Sequence, residues 1–319
     1  MEQIYTYGTY LREKFGAKVY KVGINISGFT CPNIDGTVAK GGCTFCENDS
    51  FSASTDAVQE LKGFHLNLDS KENPFLEKQL EQLEQQFHAI SKRQRDEYGA
   101  QKFLVYFQSF TNTYAPFDTL KALYDKALSF DDVVGLSIGT RSDSITEETL
   151  LYLSELAKTK EIWIEFGIQS VYDETLDKIN RGHNSQNVKE WIIKSKEAGL
   201  NVCGHLIFGL PGETQEMMLE TSKEAYSWGI DSVKYHPLYV VKRTALANEY
   251  ARGEFEPISE KLYLDTLVKS ILMKPKNVNV QRVTAGIDDS SLLAPQWCRD
   301  KNQQIRNINK ALKKVGLKY

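Results

Sequence analysis

The sequence contains no apolar run long enough to cross a membrane, and its first residues lack the basic start and apolar centre of a signal peptide. It also lacks a strong net charge, because a formal charge of −3 over 319 residues does not by itself indicate a nucleic-acid-binding protein. We find no internal repeat, low-complexity tract or linker rich in Pro and Ser. These absences predict a cytoplasmic protein with one catalytic domain and a C-terminal extension.

Cysteine is scarce, and the odd total of five argues for reduced thiols rather than a disulfide framework. Cys31, Cys43 and Cys46 lie in one glycine-rich loop, whereas Cys203 and Cys298 are isolated and are interpreted as buried thiols. A structural zinc site usually takes four ligands from two close pairs, and only one close pair is present. Three thiolates can instead hold three irons of a [4Fe–4S] cluster and leave the fourth iron open. On spacing alone, zinc stays an alternative.

The middle of the chain alternates between short apolar runs and helical patterns. We predict strands at 18–26, 103–107, 133–138, 162–166, 201–208 and 232–235, and helices at 74–98, 117–129, 146–158, 186–198 and 213–228. Short continuous apolar strands separated by helices are typical of parallel strands buried on both faces. Six strands are fewer than the eight of a closed barrel, so the sequence predicts an α/β fold, a partial (β/α)6 TIM-like barrel.

The alternation loosens after residue 240, where we predict helices near 244–252, 258–272 and 302–315 and a short strand at 278–280. Residues 1–240 are therefore predicted to form the barrel and residues 241–319 a helical extension packed on it. After Cys298 one acid, Asp300, is outnumbered by basic residues, which are Arg299, Lys301, Arg306, Lys310, Lys313, Lys314 and Lys318. This pattern fits a solvated amphipathic helix as well as it fits a phosphate-binding face.

Polar or glycine-rich residues follow most of the predicted strands, at the end where catalytic groups gather in parallel barrels. These segments are 108–113, 139–143, 165–170, 204–213 and 236–239. Together with the cysteine loop they predict an active site at this end. Two strand-end histidines, His205 and His236, are interpreted as hydrogen-bonded packing rather than as catalytic bases.

Several motifs resemble one known superfamily. They are Cys-Pro-Asn-x-Asp-Gly-Thr at 31–37, Gly-Gly-Cys-Thr-Phe-Cys at 41–46, Gly-Ile-Gln-Ser at 167–170, Asn-Arg-Gly-His at 180–183, Ile-Phe-Gly-Leu-Pro-Gly-Glu-Thr at 207–214, and the late stretches 281–285 and 294–298. The chain resembles radical S-adenosylmethionine (radical SAM) enzymes of the YhcC/YtqA branch, relatives of the elongator catalytic subunit. It departs from the common pattern in having eleven residues between the first two cysteines, and it has no residues left for the elongator acetyltransferase domain.

The resemblance implies a [4Fe–4S] cluster held by Cys31, Cys43 and Cys46, with S-adenosylmethionine on the open iron. Phe45 would present backbone to the adenine, and Gln108 and Ser109 would hold the amino end. Gln169 and Arg181 would address the ribose and the carboxylate, since the planar fork of arginine suits a carboxylate. The remaining implied contacts are Ile207, Gly209 and Leu210 beside the adenine, and Arg141 and Asp143 toward S-adenosylmethionine or substrate.

The resemblance also implies radical remodelling of the C5 side chain of the wobble uridine in tRNA, for example a carboxymethylaminomethyl group. An unstacked anticodon-loop base suits an open barrel, and Lys242, Arg243 and the C-terminal lysines are candidate phosphate contacts. An electron donor such as flavodoxin or ferredoxin is expected. Two alternatives remain, a radical SAM enzyme acting on a small molecule and a non-catalytic zinc-binding scaffold.

Overall fold

The computed structural model describes residues 1–46, 61, 63–285, 287 and 290–319. The strands are β1 (Glu2–Gln3), β2 (Val19–Ile24), β3 (Lys102–Phe107), β4 (Val133–Thr140), β5 (Glu161–Gln169), β6 (Asn201–Phe208), β7 (Ser232–Pro237), β8 (Val240–Val241), β9 (Asn279–Arg282), β10 (Leu292–Ala294) and β11 (Leu317–Lys318). The helices are α1 (Tyr7–Phe15), α2 (Leu76–Tyr98), α3 (Phe117–Leu128), α4 (Glu147–Ala157), α5 (Asp173–Lys178), α6 (Ser185–Glu197), α7 (Gln215–Ser227), α8 (Ala245–Ala251), α9 (Glu260–Met273) and α10 (Lys301–Lys314).

One parallel sheet of seven strands organises these elements, in the order β2-β3-β4-β5-β6-β7-β9. The two outer strands do not pair with each other, so the sheet curls into an open half-barrel. The predicted α/β partial barrel is confirmed. Its strands read as continuous apolar runs because helices cover the outer face while the interior is also packed.

The predicted count of six strands was one short, because β9 pairs with β7 and completes the sheet. The strand predicted at 278–280 corresponds to β9, and the sequence placed it in the C-terminal extension rather than in the barrel. β9 is only four residues long, and β8, α8 and α9 intervene between it and its partner instead of a single helix. Nothing local to the strand indicates that pairing. The domain boundary at residue 240 stays a prediction. The short helix α5 was not predicted either.

Helix α1 closes the amino-terminal end of the half-barrel. The Tyr7 and Tyr10 rings stand edge-on against Trp163 of β5, with ring centroids 5.0 and 5.5 Å away. The hydroxyl of Thr6 accepts a hydrogen bond from the Thr9 amide at 3.2 Å and begins the helix, and Gly16, at φ 60°, ends it in a left-handed conformation. The carboxyl ends of the strands are therefore the end left accessible.

The C-terminal helix α10 packs through one face, on which Gln304, Ile308 and Leu312 are buried. Its basic residues Lys301, Arg306, Lys310, Lys313 and Lys314 are exposed, which confirms the amphipathic helix. The helix begins near the carboxyl end of β9, where Thr284 donates to Gln304, and ends beside β1 and β11 at the opposite end. No helix among the described residues is long and apolar enough to cross a membrane.

Candidate active site

The cysteine loop follows β2 and lies at the carboxyl end of the sheet. Cys43 is buried, Cys31 and Cys46 are half-buried, and all three are free thiols. They line a cavity of about 400 Å³ together with residues from the carboxyl ends of the strands. The structure therefore brings the three predicted ligands to the end of the barrel where the strand-end polar residues converge.

A turn after α5 holds the cysteine loop in place. The Asn33 side-chain amide donates to the backbone carbonyls of Asn180 and Arg181, and the Asn180 amide donates in return to the carbonyl of Gly42 at 2.7 Å. Gly182 has φ 77°, and a Cβ there would lie only 2.8 Å from the Asn33 side-chain oxygen. The Asn-Arg-Gly motif thus has a physical role, since it clamps the loop and leaves no room for a larger residue.

Arg181 extends from this turn to the buried cysteine. Its Nη1 lies 3.8 Å from Cys43 Sγ and its Nη2 donates to the carbonyl of Gly167 at 2.9 Å. The Asn33 amide nitrogen is also 3.7 Å from Cys43 Sγ. The Nε of Arg181 is buried without a hydrogen-bond partner. Two cationic or polar donors therefore face this thiol, and one donor of Arg181 stays available.

Arg141 holds the first cysteine in a similar way. Its Nη1 lies 3.8 Å from Cys31 Sγ, and its Nη2 donates to the carbonyl of Arg181 at 2.8 Å. The guanidinium also makes a bidentate pair with Asp143, at 2.9 and 2.6 Å. Burial alone would raise the pKa of Asp143, but the Arg141 guanidinium holds it below its ordinary value. Arg141 lines the cavity and Asp143 does not, so this pair supports the loop.

The other predicted contacts divide into two groups. Phe45, Gln108, Ser109, Gln169 and Ile207 line the cavity, and their contacts with S-adenosylmethionine stay predictions. Gln169 has a left-handed backbone, φ 65°, and its side-chain oxygen is buried without a hydrogen-bond partner. Ser109 donates to the side-chain oxygen of Asn25. The free oxygen of Gln169 is the acceptor most clearly presented to a ligand.

Gly209 and Leu210 do not line the cavity. A Cβ at Gly209 would lie 2.6 Å from Ile258 Cβ, and its amide donates to Met218 Sδ at 3.1 Å. Leu210 is 2% exposed and packs in a cluster with Ile207. The glycine is therefore required where the segment before α9 packs against this turn. Direct contact of these two residues with an adenine stays a prediction.

A charged network that was not predicted from the sequence lies in the barrel interior, centred on Glu165 of β5. Its fully buried carboxylate forms ion pairs with Lys21 of β2 and Lys234 of β7. It also accepts from Ser137 at 2.6 Å and lies 2.8 Å from His205 Nε2. A signal was present in the sequence, since charged residues interrupt three otherwise apolar strands. The hydrogen bond of His205 agrees with the packing interpretation, although His205 also lines the cavity.

Burial and the charges of this network lower the pKa values of its groups. Burial would raise the pKa of Glu165, but the two ammonium groups hold it well below its ordinary value. Burial lowers the pKa of Lys21 to about 8 and that of His205 to about 4. His236, also beside the cavity, has a pKa well below its ordinary value because of burial and the nearby Arg282 guanidinium. Both histidines are therefore neutral near pH 7.

Glu165, Cys203 and His205 place their ligand atoms within 4.8 Å of one another. The lysines already paired with Glu165 oppose a metal cation there. Burial also raises the pKa of the Cys203 thiol to about 12, whereas metal ligation requires a thiolate. This cluster is an ion-pair network, and Cys203 is the buried thiol that the sequence predicted.

Comparison with known proteins identifies the family. The model of the radical SAM superfamily matches residues 35–225, and that of the radical SAM C-terminal domain matches residues 230–314. The chain belongs to the radical SAM superfamily. YtqA of Bacillus subtilis is 35% identical to it over 315 residues, which cover 99% of this chain and 91% of YtqA. The predicted branch is confirmed.

Two similarities relate this radical SAM protein to elongator-type proteins. A tRNA uridine(34) acetyltransferase of Methanocaldococcus infernus is 32% identical over 157 residues, which cover 48% of this chain and 29% of that protein. The solved structure of the Elp3 protein of Methanocaldococcus infernus with an N-terminal deletion has a TM-score of 0.62 at 20% identity, over 95% of this chain and 64% of that chain. At that identity the likeness shows a shared fold.

Radical SAM enzymes bind a [4Fe–4S] cluster and S-adenosylmethionine, so the cofactor prediction is confirmed at the level of the family. The cavity fits both groups, because Gln169 Oε1 and Arg181 Nε are buried there without protein partners.

Proposed function

We propose that this radical SAM enzyme remodels the C5 side chain of the wobble uridine in tRNA, for example a carboxymethylaminomethyl group. The observation that carries the proposal is the convergence of three free thiols, Gln169 and Arg181 on one cavity at the open end of a half-barrel. The similarity to a tRNA uridine(34) acetyltransferase supports the choice of substrate. Because the similarity covers 29% of that protein, acetyl transfer is not part of the proposal.

In this proposal Cys31, Cys43 and Cys46 hold three irons of the cluster. When bound and reduced by one electron from a donor such as flavodoxin or ferredoxin, the cluster and S-adenosylmethionine would supply radical chemistry that removes a hydrogen atom from the substrate. The protein positions both molecules and excludes water. Gln169 Oε1 accepts from a ribose hydroxyl and Arg181 Nε donates to the carboxylate, since both atoms lack protein partners. Phe45 and Ile207 supply the apolar wall beside the adenine.

The first experiment reconstitutes the enzyme anaerobically with iron and sulfide, then adds dithionite, S-adenosylmethionine and total tRNA from a strain that lacks the gene. Mass spectrometry follows 5′-deoxyadenosine and the tRNA nucleosides together. We expect deoxyadenosine to form together with a changed wobble uridine. Deoxyadenosine with unchanged tRNA would refute the tRNA substrate and favour a small molecule. Tightly bound zinc, without a cluster or S-adenosylmethionine cleavage, would refute the assigned chemistry.

Charge reversal at Lys310, Lys313 and Lys314 tests whether α10 contacts tRNA. If it does, the triple variant should bind tRNA more weakly, and the salt dependence of log Kd should flatten by about 1 for each lost phosphate contact. The measurement is fluorescence-detected binding of tRNA at several salt concentrations.

The structure provides a matched comparison for that variant. Lys242 is exposed directly after β8, whose Val241 lines the cavity, whereas Lys313 and Lys314 lie at the end of α10 remote from the carboxyl end of β9. Lys242→Glu should therefore weaken tRNA binding more per charge than the triple change does. Binding that neither change alters would remove both segments from the proposed interface.

A further inference from the structure

Part of the cavity wall is formed by residues that are not among the proposed cofactor contacts. These are polar and aromatic side chains of β3, β5, β6, β7 and β9 and of the segments after β7 and β9, among them Tyr106, Glu165, His205, His236, Tyr239 and Arg282. A molecule that is to lose a hydrogen atom must lie next to S-adenosylmethionine. This part of the cavity is therefore the space available for the reacting part of the substrate.

Cations outnumber carboxylates beside this part of the cavity. The Glu165 carboxylate lines the cavity and is paired with the ammonium groups of Lys21 and Lys234, which do not line it, and the guanidinium of Arg282 also lines it. The two histidines, His205 and His236, contribute no charge near pH 7 because their pKa values are depressed. Three cations against one carboxylate leave an excess of positive charge, and Arg282 presents its charge to a partly enclosed space, where electrostatic attraction is stronger than in bulk water.

Among the described charged residues beside this part of the cavity, Arg282 is a cation without a carboxylate partner. Lys234 is held by Glu165 and by the Tyr106 hydroxyl at 3.1 Å, and Lys21 by Glu165 and by Gln281 at 2.7 Å. Arg282 is exposed to the cavity, and within the described residues no carboxylate lies at ion-pair distance from it. Its planar fork can make two parallel hydrogen bonds to one carboxylate.

The strand register explains how Arg282 reaches this position. His205, Lys234 and Arg282 are direct partners on β6, β7 and β9, so their side chains form one row around the barrel interior. The register shifts between Val233 and Lys234, which leaves Gln281 as an extra residue of a bulge. A bulge changes the direction of neighbouring side chains. Here Gln281 accepts a hydrogen bond from Lys21 in the barrel interior, and Arg282 lines the cavity.

We propose that Arg282 anchors a carboxylate on the substrate, and that this part of the cavity selects a C5 side chain that ends in one. The inference rests on the proposed function and deepens it, since it states the charge class of the uridine substituent. A backbone phosphate offers the same oxyanion chemistry. However, Arg282 lies in one row with His205 and Lys234 inside the barrel. A substituent on a base can reach this position more easily than the sugar-phosphate backbone of an RNA can.

The test uses two synthetic anticodon stem-loops that differ at one group, a 5-carboxymethylaminomethyl uridine and its carboxamide. Both are titrated into the reconstituted enzyme with S-adenosylmethionine and without reductant, so that binding is measured without turnover. The wild-type enzyme should bind the carboxylate at least about 10-fold more tightly than the carboxamide. Arg282→Gln should reduce that ratio to within about 2-fold, and Arg282→Lys should restore part of it.

Arg12→Gln is the matched control, because Arg12 is an exposed arginine of α1 at the sealed end of the barrel and does not line the cavity. It should leave the ratio unchanged. Equal binding of both stem-loops to the wild-type enzyme would overturn this inference and leave the tRNA substrate intact. An equal loss of both affinities in Arg282→Gln would overturn it in favour of a phosphate contact. Failure of both stem-loops to bind would refute the tRNA substrate itself, and this inference with it.

Discussion

Replacing Cys31, Cys43 or Cys46 by alanine, one at a time, is expected to abolish both cluster binding and cleavage of S-adenosylmethionine. Each change removes one thiolate from a set of three, and two thiolates do not hold a [4Fe–4S] cluster in place. Iron should fall from about four per chain to near zero after anaerobic reconstitution. The rate of 5′-deoxyadenosine formation should fall more than about 1,000-fold, a barrier increase of about 4 kcal/mol.

Cys298→Ala is the control for these variants. Cys298 is also a reduced thiol, but it is fully buried in a cluster with Tyr239 and Val241 and lies outside the loop. The control should keep full iron content and the wild-type rate of S-adenosylmethionine cleavage. A loop variant that keeps the visible absorption of the cluster and still forms deoxyadenosine would remove that cysteine from the proposed ligand set. Iron analysis and absorption spectroscopy distinguish these outcomes without any tRNA.

Glu165→Gln is expected to destabilise the folded protein by about 3–5 kcal/mol, because it leaves two ammonium groups in the barrel without their counter-charge. The Glu165 side chain is 0% exposed, and those of Lys234 and Lys21 are 4% and 18% exposed. Water can replace little of the lost interaction. The free energy of unfolding is measured by denaturant titration followed by circular dichroism.

Glu161→Gln provides the comparison on the same strand. Glu161 is also buried, but its lysine partner, Lys14, is 46% exposed and can be solvated when the carboxylate is removed. Glu161→Gln should therefore reduce the free energy of unfolding by clearly less than Glu165→Gln does. In addition, the double variant Glu165→Gln with Lys234→Met should lose less stability than the sum of the two single changes. If the loss of stability in the double variant equals the sum of the two single losses, the assigned ion pair between Glu165 and Lys234 is contradicted.

The comparison of the wild-type protein with Glu165→Gln also predicts how the free energy of unfolding depends on pH. The folded-state pKa of Glu165 lies well below the ordinary value of 4.5, so its carboxylate contributes stability that is fully present above about pH 4.5. That contribution is lost as the pH falls through the depressed pKa of the folded protein. The stability difference between the wild-type protein and Glu165→Gln should therefore be constant from pH 7 to about pH 5 and should shrink at lower pH. A difference that grows on acidification would contradict the shift.

The cysteine loop and most of the barrel could be predicted because their signals are local. Three thiols within sixteen residues indicate a metal centre, for which spacing alone leaves zinc as an alternative to a cluster. An apolar run followed by an amphipathic helix defines each βα unit within about thirty residues. Strand ends are equally local, so the segments that contain Gln108 and Gln169 were predicted to lie at the active end, and both residues line the cavity there. Their roles toward S-adenosylmethionine came from the family resemblance and stay predictions. The roles of Arg141 and Asp143 were less accessible, since a side chain's partner depends on where a distant turn lies.

The amino-acid sequence by itself determined the fold class, the superfamily and the three candidate iron ligands of this protein. Only the tertiary structure decided that β9 completes the sheet, that Asn180 clamps the cysteine loop, and that Glu165 joins lysines from two distant strands. The physical reason is the range of the interactions. Helix and strand preferences act over a few neighbouring residues, whereas these contacts join residues between 69 and 144 positions apart, or a short strand to a partner reached only after intervening helices.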